Sequence, residues 1–364
     1  MLRLVTTPAV IAVEDDPFTR LIPIVLDPTS SAERSAAFAD FMAHDADFPG
    51  WVERVRASAA SLYPADVRLV ASETELRASL KEASAVVVES FRIGRDELAA
   101  APKLELVQKF GTGLRNIDVA ACAARGVKLK TIRRRANIAC SEHAFALMLA
   151  LSRRLPDTIG LVSADRIRDA GIALKPFDRR HTPGGNYPRI GGLRMLNGAT
   201  IGIIGLGEIG REIALRAQAF GMRVIYRQRS RASEAEERTV NASYVPLATL
   251  LAESDWIVPQ VPTGPGTRDL LGRAELSQVK PGAYLVNVSN AAVVNREAAI
   301  DALKSGRLAG FALDTFYQEP APDDDELLRM RNVILTPRMA GSPRTNGLQD
   351  FEELIVGLAR ELAP

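Results

Sequence analysis

Short apolar runs alternate with longer segments of mixed polarity along most of this chain. Such runs are typical of strands buried in a parallel sheet, and the amphipathic segments between them are typical of helices. Leu21–Leu26 predicts a first strand, and the alanine-rich zone from Ser31 to Leu62 predicts helix. Further strands are predicted at Val67–Val70, Ala85–Glu89, Leu104–Lys109, Thr200–Ile204, Arg223–Tyr226, Trp256–Val261, Ala283–Val288 and Gly310–Asp314, and further helices at Glu73–Lys81, Ser141–Leu155 with Ser141 as its N-cap, and Asn346–Leu362.

A glycine-rich turn lies between a strand and a helix in residues 197–229. The first glycine of this GxGxxG pattern permits a tight turn, the second lets backbone N–H groups approach a pyrophosphate, and the third lets helix and strand pack closely. The helix N-terminus adds unpaired donors for the phosphates. The pattern therefore predicts a dinucleotide site. Its predicted contacts in this turn are Gly205, Gly207, Glu208, Ile209 and Gly210.

The end of the second strand of this unit indicates which dinucleotide is favoured. NAD sites usually carry an acid there, about 20 residues past the glycines, which binds the ribose 2′-OH. The stretch Tyr226–Arg231 contains no carboxylate. Guanidinium groups and a hydroxyl suit a 2′-phosphate, so NADP is favoured over NAD, unless these arginines only solvate a loop. The predicted contacts here are Arg227, Gln228, Arg229 and Ser230.

Length, charge and cysteine content narrow the class of protein. A chain of 364 residues predicts about two domains, and its net charge of +2 gives no electrostatic argument for nucleic acid or membrane partners. Cys122 and Cys140 lack metal-ligand spacing and are too few for a disulfide framework, which suits a reducing cytoplasm. The chain has no apolar segment of the roughly 18 residues that a membrane span needs, and its N-terminus does not look like a signal peptide.

The order of these elements predicts two α/β domains with doubly wound parallel sheets. A complete αβ region precedes the nucleotide unit and a terminal helix follows it, so the chain is expected to cross between the domains twice. We predict a substrate domain from residues 1–137 and 337–364, and a Rossmann dinucleotide-binding domain from 138–336 that includes the long helix 141–155. A cleft between two such domains would bind a small molecule.

Several motifs in the same order resemble the D-isomer-specific 2-hydroxyacid dehydrogenase family. They are KFGTGLRNID at 109–118, SEHA at 141–144, the nucleotide unit, VPT at 261–263, ALDTF at 312–316 with EP at 319–320, and LTP at 335–337. The resemblance implies Rossmann and flavodoxin-like domains, a homodimer, and a small anionic 2-hydroxy or 2-oxo substrate whose carboxylate meets the loop Gly111, Thr112 and Gly113. It also implies further cofactor contacts from Val261, Pro262, Thr263, Val288, Ser289 and Asp314.

The catalytic positions of this family are only partly matched. The family uses an arginine that binds and polarises the 2-oxo acid, a histidine that exchanges the hydroxyl proton, and a glutamate that tunes the histidine. Glu319 matches the glutamate, but Asn290 stands at the arginine position and Arg338 at the histidine position. Arginine has no accessible deprotonated form, so Arg338 cannot be an ordinary general acid–base. We expect Arg338 to pair with Glu319 and keep it ionised, unless Glu319 only anchors a loop.

Three interpretations of the function follow. The first is a hydride-transfer dehydrogenase in which Arg338 binds the substrate and Lys109, Arg92 or His181 takes part in proton transfer or binding; His181 lies in the inserted stretch 166–192. The second is a redox-neutral lyase or hydrolase that uses a tightly bound nicotinamide transiently. The third is a nucleotide-binding scaffold without turnover. We favour the first, an NAD(P)-dependent oxidoreductase with an atypical active site.

Overall fold

The computed structural model describes residues 8–175, 177–262 and 264–363. These residues form two compact units. The first contains the described residues up to Ala139 together with those from Gly341 onward. The second is Cys140–Ala340.

In the described part of the first unit, five parallel strands form a sheet in the order β2-β1-β3-β4-β5. The central strands are mostly apolar and buried, as expected when helices cover both faces of a sheet, and the polar residues Glu14, Gln108 and Lys109 lie at the carboxyl ends of β1 and β4. The strands are β1 (Ala9–Glu14), β2 (Ala65–Val70), β3 (Ala85–Val88), β4 (Leu106–Lys109) and β5 (Lys128–Thr131). The helices are α1 (Leu21–Leu26), α2 (Ala32–Met42), α3 (Phe48–Ser58), α4 (Glu73–Leu80), α5 (Arg95–Ala99), α6 (Val119–Ala124) and α15 (Thr345–Glu361), while α7 (Arg135–Ser152) runs from this unit into the next.

The prediction of a strand at Leu21–Leu26 is wrong, because this segment forms helix α1. All six of its side chains are buried, against α3, α15 and β2. A run that is buried all round has no polar face, so its hydrophobic pattern cannot separate a helix from a strand. The first strand is instead Ala9–Glu14, whose apolar pattern was not recognised as a strand. The helical zone from Ser31 to Leu62 is confirmed as two helices, α2 and α3.

The predicted start of the long helix at Ser141 is also wrong. Helix α7 begins at Arg135 and ends at Ser152, and Ser141 lies fully buried inside it. The cap comes from α15, where the Asp350 carboxylate accepts the backbone N–H of Arg135 at 2.9 Å and the Arg135 guanidinium at 2.8 Å. Asp350 is more than 200 residues away in the sequence, so no local pattern could indicate this N-terminus.

In the described part of the second unit, seven parallel strands have the order β12-β11-β10-β9-β6-β7-β8. The strands are β6 (Thr200–Ile204), β7 (Arg223–Arg227), β8 (Ala242–Tyr244), β9 (Trp256–Pro259), β10 (Ala283–Asn287), β11 (Leu308–Leu313) and β12 (Val333–Leu335). The helices are α8 (Leu155–Thr158), α9 (Ala164–Asp169), α10 (Glu208–Ala219), α11 (Glu234–Thr239), α12 (Leu247–Glu253), α13 (Arg273–Ser277) and α14 (Arg296–Lys304), with 3₁₀ helices at Ala291–Val293 and Glu326–Arg329.

The order of this sheet reverses between β6 and β9. From β6 the chain winds outward through β7 and β8, and then returns to the other side of β6 to form β9. Ligands of open α/β sheets bind beyond the carboxyl ends of the strands at such a reversal. The predicted fold class, two doubly wound parallel-sheet α/β domains, is confirmed. Among the described residues, we find no helix that is both long enough and apolar enough to span a membrane.

Candidate active site

The glycine-rich turn after β6 needs glycine at two positions for internal reasons. Gly205 has φ of 103°, and a Cβ there would lie 2.3 Å from the carbonyl oxygen of Gln260. A Cβ on Gly210 would lie 2.2 Å from the carbonyl oxygen of Gly205. The first glycine therefore permits the turn beside β9, and the third lets α10 pack against that turn.

Gly207, between them, has no such internal reason. It precedes the first residue of α10 with φ of −78°, which any residue can adopt, and no atom of the described residues lies within 4 Å of a Cβ built on it. No side chain at this N-cap position accepts a hydrogen bond from the first turn of α10. An open space in front of an uncapped helix N-terminus suits the pyrophosphate of a dinucleotide.

Two buried amide groups flank the turn. Gln228, after β7, accepts the backbone N–H of Leu206 through Oε1 at 3.1 Å. The Nε2 atoms of Gln228 and of Gln260, after β9, are buried and have no hydrogen-bond partner among the described residues. Buried donors without a partner are rare in native proteins. Together with the open space at Gly207, they fit a nucleotide that completes this edge of the sheet. Gln260 was missed because the sequence pattern directs attention to the glycines.

The structure separates the arginines that follow β7. Arg231 pairs through two hydrogen bonds, at 2.8 and 2.9 Å, with Glu237, and this pair lowers the pKa of Glu237 to about 2. Arg227 donates to the hydroxyl of Tyr244 and to the carbonyl oxygen of Gln228. Arg229 is exposed, and no described side chain partners its guanidinium. Arg229 and the neighbouring exposed Ser230 are therefore the groups available to a ligand.

The other predicted cofactor contacts lie at the same carboxyl edge of the sheet. Val261 and Pro262 follow β9, and Val288 and Ser289 follow β10. Ser289 donates its backbone N–H and its hydroxyl to Oδ1 of Asn287, at 2.9 and 2.8 Å. Thr263 lies outside the described residues. Glu208 and Ile209 form the first turn of α10, where Ile209 packs against the core.

Asp314, at the end of β11, organises the loop that follows β12. Its carboxylate is 2% exposed and accepts the Thr336 hydroxyl at 2.6 Å and the backbone N–H groups of Met339 and Ala340 at 2.9 Å. Nε2 of His143 lies 3.3 Å from Asp314 Oδ1. Burial alone would raise the pKa of Asp314, but these hydrogen bonds outweigh it and the pKa is lowered. The family resemblance implies only a cofactor contact for Asp314 and does not indicate this role in the loop.

Arg338 and Glu319 form an ion pair beside this loop. Arg338 has φ of 55°, its backbone N–H donates to the carbonyl oxygen of Asp314 at 2.8 Å, and its Nη1 donates to Glu319 Oε2 at 2.8 Å. Glu319 also accepts the backbone N–H of Phe316 at 3.0 Å. First this bond and then the Arg338 guanidinium hold the pKa of Glu319 below its usual value. The expected pair is confirmed, so Glu319 is ionised at neutral pH.

Asn290 follows β10 and begins the 3₁₀ helix Ala291–Val293. Its side chain accepts the backbone N–H of Ala292 at 2.9 Å, and its carbonyl oxygen accepts from Asn287 Nδ2 at 2.9 Å. Thr315, one residue after Asp314, donates to the carbonyl oxygen of Ser289 at 3.3 Å and so ties this turn to the end of β11. A neutral amide is thus held at this position.

In the first unit, charged side chains gather where β1, β3 and β4 end. Lys109 is buried at the end of β4, and its Nζ donates to the carbonyl oxygen of Glu89. The buried carboxylate of Glu14, at the end of β1, accepts the backbone N–H groups of Glu89, Ser90 and Phe91 at distances from 2.7 to 3.0 Å. Glu14 was missed because β1 was not predicted. The strand pattern at 9–14, followed by acids, could have revealed it.

Three further predicted residues or segments have different surroundings. Arg92 is exposed, directly after the loop that Glu14 holds. Gly111, with φ of 138°, opens the loop to Gly113, where a Cβ would meet no atom of the described part of the chain within 4 Å. His181 belongs to the second unit and has a 76% exposed side chain whose Nδ1 lies 2.7 Å from Asp178. His181 therefore lies in an exposed surface turn.

Comparisons with known proteins bear on this geometry. The NAD-binding domain model of the D-isomer-specific 2-hydroxyacid dehydrogenases matches residues 145–340, more than half of the chain. The glyoxylate reductase of Thermococcus litoralis is 36% identical over 264 residues, which are 72% of this chain and 75% of that protein. The chain belongs to the D-isomer-specific 2-hydroxyacid dehydrogenase family. The resemblance inferred from the motifs is confirmed.

Two further comparisons agree with this family assignment. The D-3-phosphoglycerate dehydrogenase of Archaeoglobus fulgidus is 32% identical over 301 residues, which are 82% of this chain and 53% of that protein. The D-mandelate dehydrogenase structure of Rhodotorula graminis has a TM-score of 0.55 at 23% identity, over 96% of this chain and 93% of that one, and supports the fold. The protein is an NAD(P)-dependent dehydrogenase of the CH–OH class.

Proposed function

We propose that this dehydrogenase reduces a small 2-oxo acid with NADPH, and that Arg338 binds the carboxylate of the substrate. The observation that carries this proposal is the Arg338–Glu319 pair, held beside Asp314 in the same unit as the nucleotide turn. Arg338 is 67% exposed in its side chain, so its fork of donors is accessible. A guanidinium binds a carboxylate through two parallel hydrogen bonds.

Each group at the carboxyl edge of the seven-stranded sheet has a separate role. When bound, the reduced nicotinamide supplies a hydride to the carbon that is reduced. The turn from Gly205 to Gly210 and the N-terminus of α10 would hold its pyrophosphate, and Asp314 holds the loop that presents Arg338. Glu319 orients the guanidinium, and the Asn290 amide adds a neutral polar group.

The substrate class follows from the relatives together with the charge of the site. The relatives include glyoxylate reductases and a D-3-phosphoglycerate dehydrogenase, both of which act on small anions. One accessible guanidinium beside a carboxylate partner suits a small monoanion. We therefore assign glyoxylate, or another short 2-oxo acid, as the substrate to test first.

Two measurements test this proposal. Purified protein is denatured, and any released nucleotide is identified by chromatography and mass. A separate, native sample is then mixed with NADPH and a panel of short 2-oxo acids, and the absorbance of the reduced nicotinamide is followed. The proposal expects an exchangeable cofactor and substrate-dependent oxidation of NADPH. A stoichiometric, tightly held cofactor without net oxidation would support the redox-neutral interpretation. Binding without either reaction would support a scaffold.

The preference for NADPH rests on Gln228 and Arg229. The acceptor oxygen of the Gln228 amide is used by Leu206 N–H, so only its Nε2 donor remains. A phosphate accepts hydrogen bonds, whereas the ribose hydroxyls of NADH are best bound by an acceptor such as a carboxylate. Arg229 adds an accessible positive charge nearby in the sequence. Donors without a carboxylate favour the 2′-phosphate.

Replacing Arg229 with alanine tests this preference. We expect Arg229→Ala to weaken NADPH binding by about tenfold or more, because about 1.4 kcal/mol of charge-assisted hydrogen bonding is lost, and to leave NADH binding almost unchanged. Fluorescence titration of both nucleotides measures the effect. Arg238→Ala, which removes an exposed arginine paired with Glu234, is the matched control. An equal loss for both nucleotides would refute the assignment.

A second prediction concerns Glu319. We expect Glu319→Gln to lower turnover by more than about tenfold, because the amide no longer neutralises and fixes the Arg338 guanidinium. The lowered pKa of Glu319 also predicts that the pair stays intact as the pH falls through the usual range for a glutamate. Steady-state kinetics across that pH range are the measurement, with Glu326→Gln, an exposed partner of Lys304, as control. Kinetics equal to those of the wild type would show that Glu319 only anchors the loop.

Association into a homodimer is also proposed. The segment from Leu155 to Met195 exposes large apolar side chains, including Ile159 and Val162 at 75% and 77%. Apolar groups at such exposure are typical of a surface that is covered in an oligomer. Sedimentation should give about twice the monomer mass of 39.4 kDa, and the double variant Ile159→Ser, Val162→Ser should shift it toward the monomer. A wild-type protein that sediments as a monomer at all concentrations would contradict the proposal.

A further inference from the structure

Arg338, Asn290 and Glu319, the residues at the family's catalytic positions, supply no proton for a reaction. A guanidinium has no accessible deprotonated form, and the amide of Asn290 is neutral. Glu319 is held as a carboxylate by Phe316 N–H and by Arg338. This triad can bind and orient an anion, but it cannot act as a general acid near neutral pH.

His143 does not fill this gap within the second unit. The Thr336 hydroxyl donates to Asp314 Oδ1 at 2.6 Å, so its oxygen is left to accept a hydrogen bond. Nε2 of His143 lies 3.0 Å from that oxygen and 3.3 Å from Asp314 Oδ1. The Nε2 proton is therefore used to hold Thr336 and Asp314, which places His143 among the positioning residues of the Arg338 loop.

The absence of an acid affects one class of substrate much more than another. Reduction of a C=O group generates an alkoxide, and a positioned acid that protonates it contributes roughly 10²–10⁴-fold to the rate. A protonated C=N group already carries its proton on nitrogen. Addition of hydride to its carbon gives a neutral amine directly, so a positioned acid adds little.

We propose that the reacting group of the substrate is a C=N bond, and that the dehydrogenase reduces 2-imino acids formed from a short 2-oxo acid and ammonia or a primary amine. This inference rests on the proposed function, since it keeps the same cofactor, the same carboxylate contact at Arg338 and the same edge of the sheet. It changes only the atom that is double-bonded to the carbon that receives the hydride.

The charges at the site fit such a substrate. A protonated 2-imino acid has a negative carboxylate and a positive nitrogen. Arg338 provides the counter-charge for the carboxylate, and the ionised Glu319 provides a negative charge on the same side of the sheet. Asn290 is neutral, so no cation at the end of β10 repels the nitrogen. A single change in substrate thus accounts for both Asn290 and Arg338.

The reaction balances without a further co-reactant. Hydride from NADPH forms a C–H bond at C2, and the C=N π pair becomes the lone pair of the amine. The imine gains two electrons and the nicotinamide loses two. The amine of the product takes a proton from water. Ammonia or the primary amine enters earlier, when it condenses with the 2-oxo acid and releases water.

The experiment compares C=O and C=N substrates on the same protein. NADPH oxidation is measured with glyoxylate alone, with glyoxylate plus methylamine, and with 1-pyrroline-2-carboxylate, a cyclic imino acid that persists in water. We expect kcat/KM to be at least about 100-fold higher for the imines, the lower end of the contribution of a positioned acid. Calorimetry on protein loaded with NADPH adds a readout without turnover, because the cofactor and the bound product are both already reduced: N-methylglycine should bind more tightly than glycolate.

Two variants sharpen the comparison. Arg338→His removes the proposed carboxylate contact and should lower the reduction of both substrates, but it introduces a titratable acid, so the ratio of imine to glyoxylate reduction should fall by at least about tenfold. Asn290→Arg should lower imine reduction by at least about tenfold, because it places a cation near the nitrogen. Arg329→His, an exposed arginine in the 3₁₀ helix before β12, is the matched control.

The outcomes separate the two levels of the proposal. If glyoxylate alone is reduced as fast as the imines, the C=N assignment is overturned while the proposed reductase function stands. If no substrate consumes NADPH although the cofactor binds, the proposed function and the inference are both overturned.

Discussion

Gly207→Val should strongly weaken cofactor binding and leave the fold intact. A valine side chain would occupy the space in front of the α10 N-terminus, where no described residue lies within 4 Å of a Cβ. The backbone φ of −78° is ordinary, so no strain is expected. We expect the dissociation constant for NADPH to rise at least about 100-fold, roughly 2.7 kcal/mol of binding free energy. Fluorescence titration measures this, and thermal unfolding of protein without nucleotide should be unchanged.

The neighbouring glycines provide a contrast. Gly210→Ala places a Cβ 2.2 Å from the Gly205 carbonyl oxygen, so it should lower the melting temperature as well as nucleotide affinity. Gly184→Val, in an exposed segment where a Cβ also meets no described atom within 4 Å, is the matched control and should alter neither. Normal NADPH affinity in Gly207→Val would show that the pyrophosphate does not lie at this turn.

Asp314→Ala should have the largest effect on stability. It removes the acceptor for the Thr336 hydroxyl, for the backbone N–H groups of Met339 and Ala340, and for His143. Leaving such buried donors unpaired costs about 3–5 kcal/mol of the free energy of unfolding of the second unit. Urea unfolding followed through the fluorescence of Trp256, buried in that unit, measures the loss. Turnover should fall as well, because the loop that carries Arg338 is released.

The pH dependence of stability provides an independent check on Asp314. Its pKa is lowered in the folded protein, so its contribution is complete above the pKa of an unfolded aspartate, about 3.9, and is lost as the pH falls through the folded value. Acidification below about pH 4 should destabilise the wild type more than Asp314→Asn. Asp301→Ala removes an exposed partner of Arg273 and should cost less than about 1 kcal/mol. A similar small loss for Asp314→Ala would show that the loop does not depend on this carboxylate.

Local sequence patterns were sufficient to predict an element when all the residues that indicate it are close together in the chain. The apolar run Thr200–Ile204, the glycines after it and the following helical pattern lie within about twenty residues, and they predicted β6, the turn and α10. Tertiary packing decided Leu21–Leu26, because its six buried side chains leave no polar face from which to read a period. The start of α7 was decided by Asp350, which reaches it from the other end of the chain.

For the candidate site too, some features follow from the sequence and others only from the tertiary structure. The sequence by itself determined which chemical groups are present: the GxGxxG turn, the absence of an acid after β7, and Asn290, Glu319 and Arg338 in their motifs. Only the tertiary structure decided which of these groups are engaged. It left Arg229 exposed while Arg227 and Arg231 bind neighbours, and it placed Gln260 beside Gly205. It also turned the Asp314 carboxylate toward the loop that carries Arg338. The physical reason is that residue identity follows from the chain alone, whereas hydrogen bonding and burial depend on which strand ends the sheet brings together.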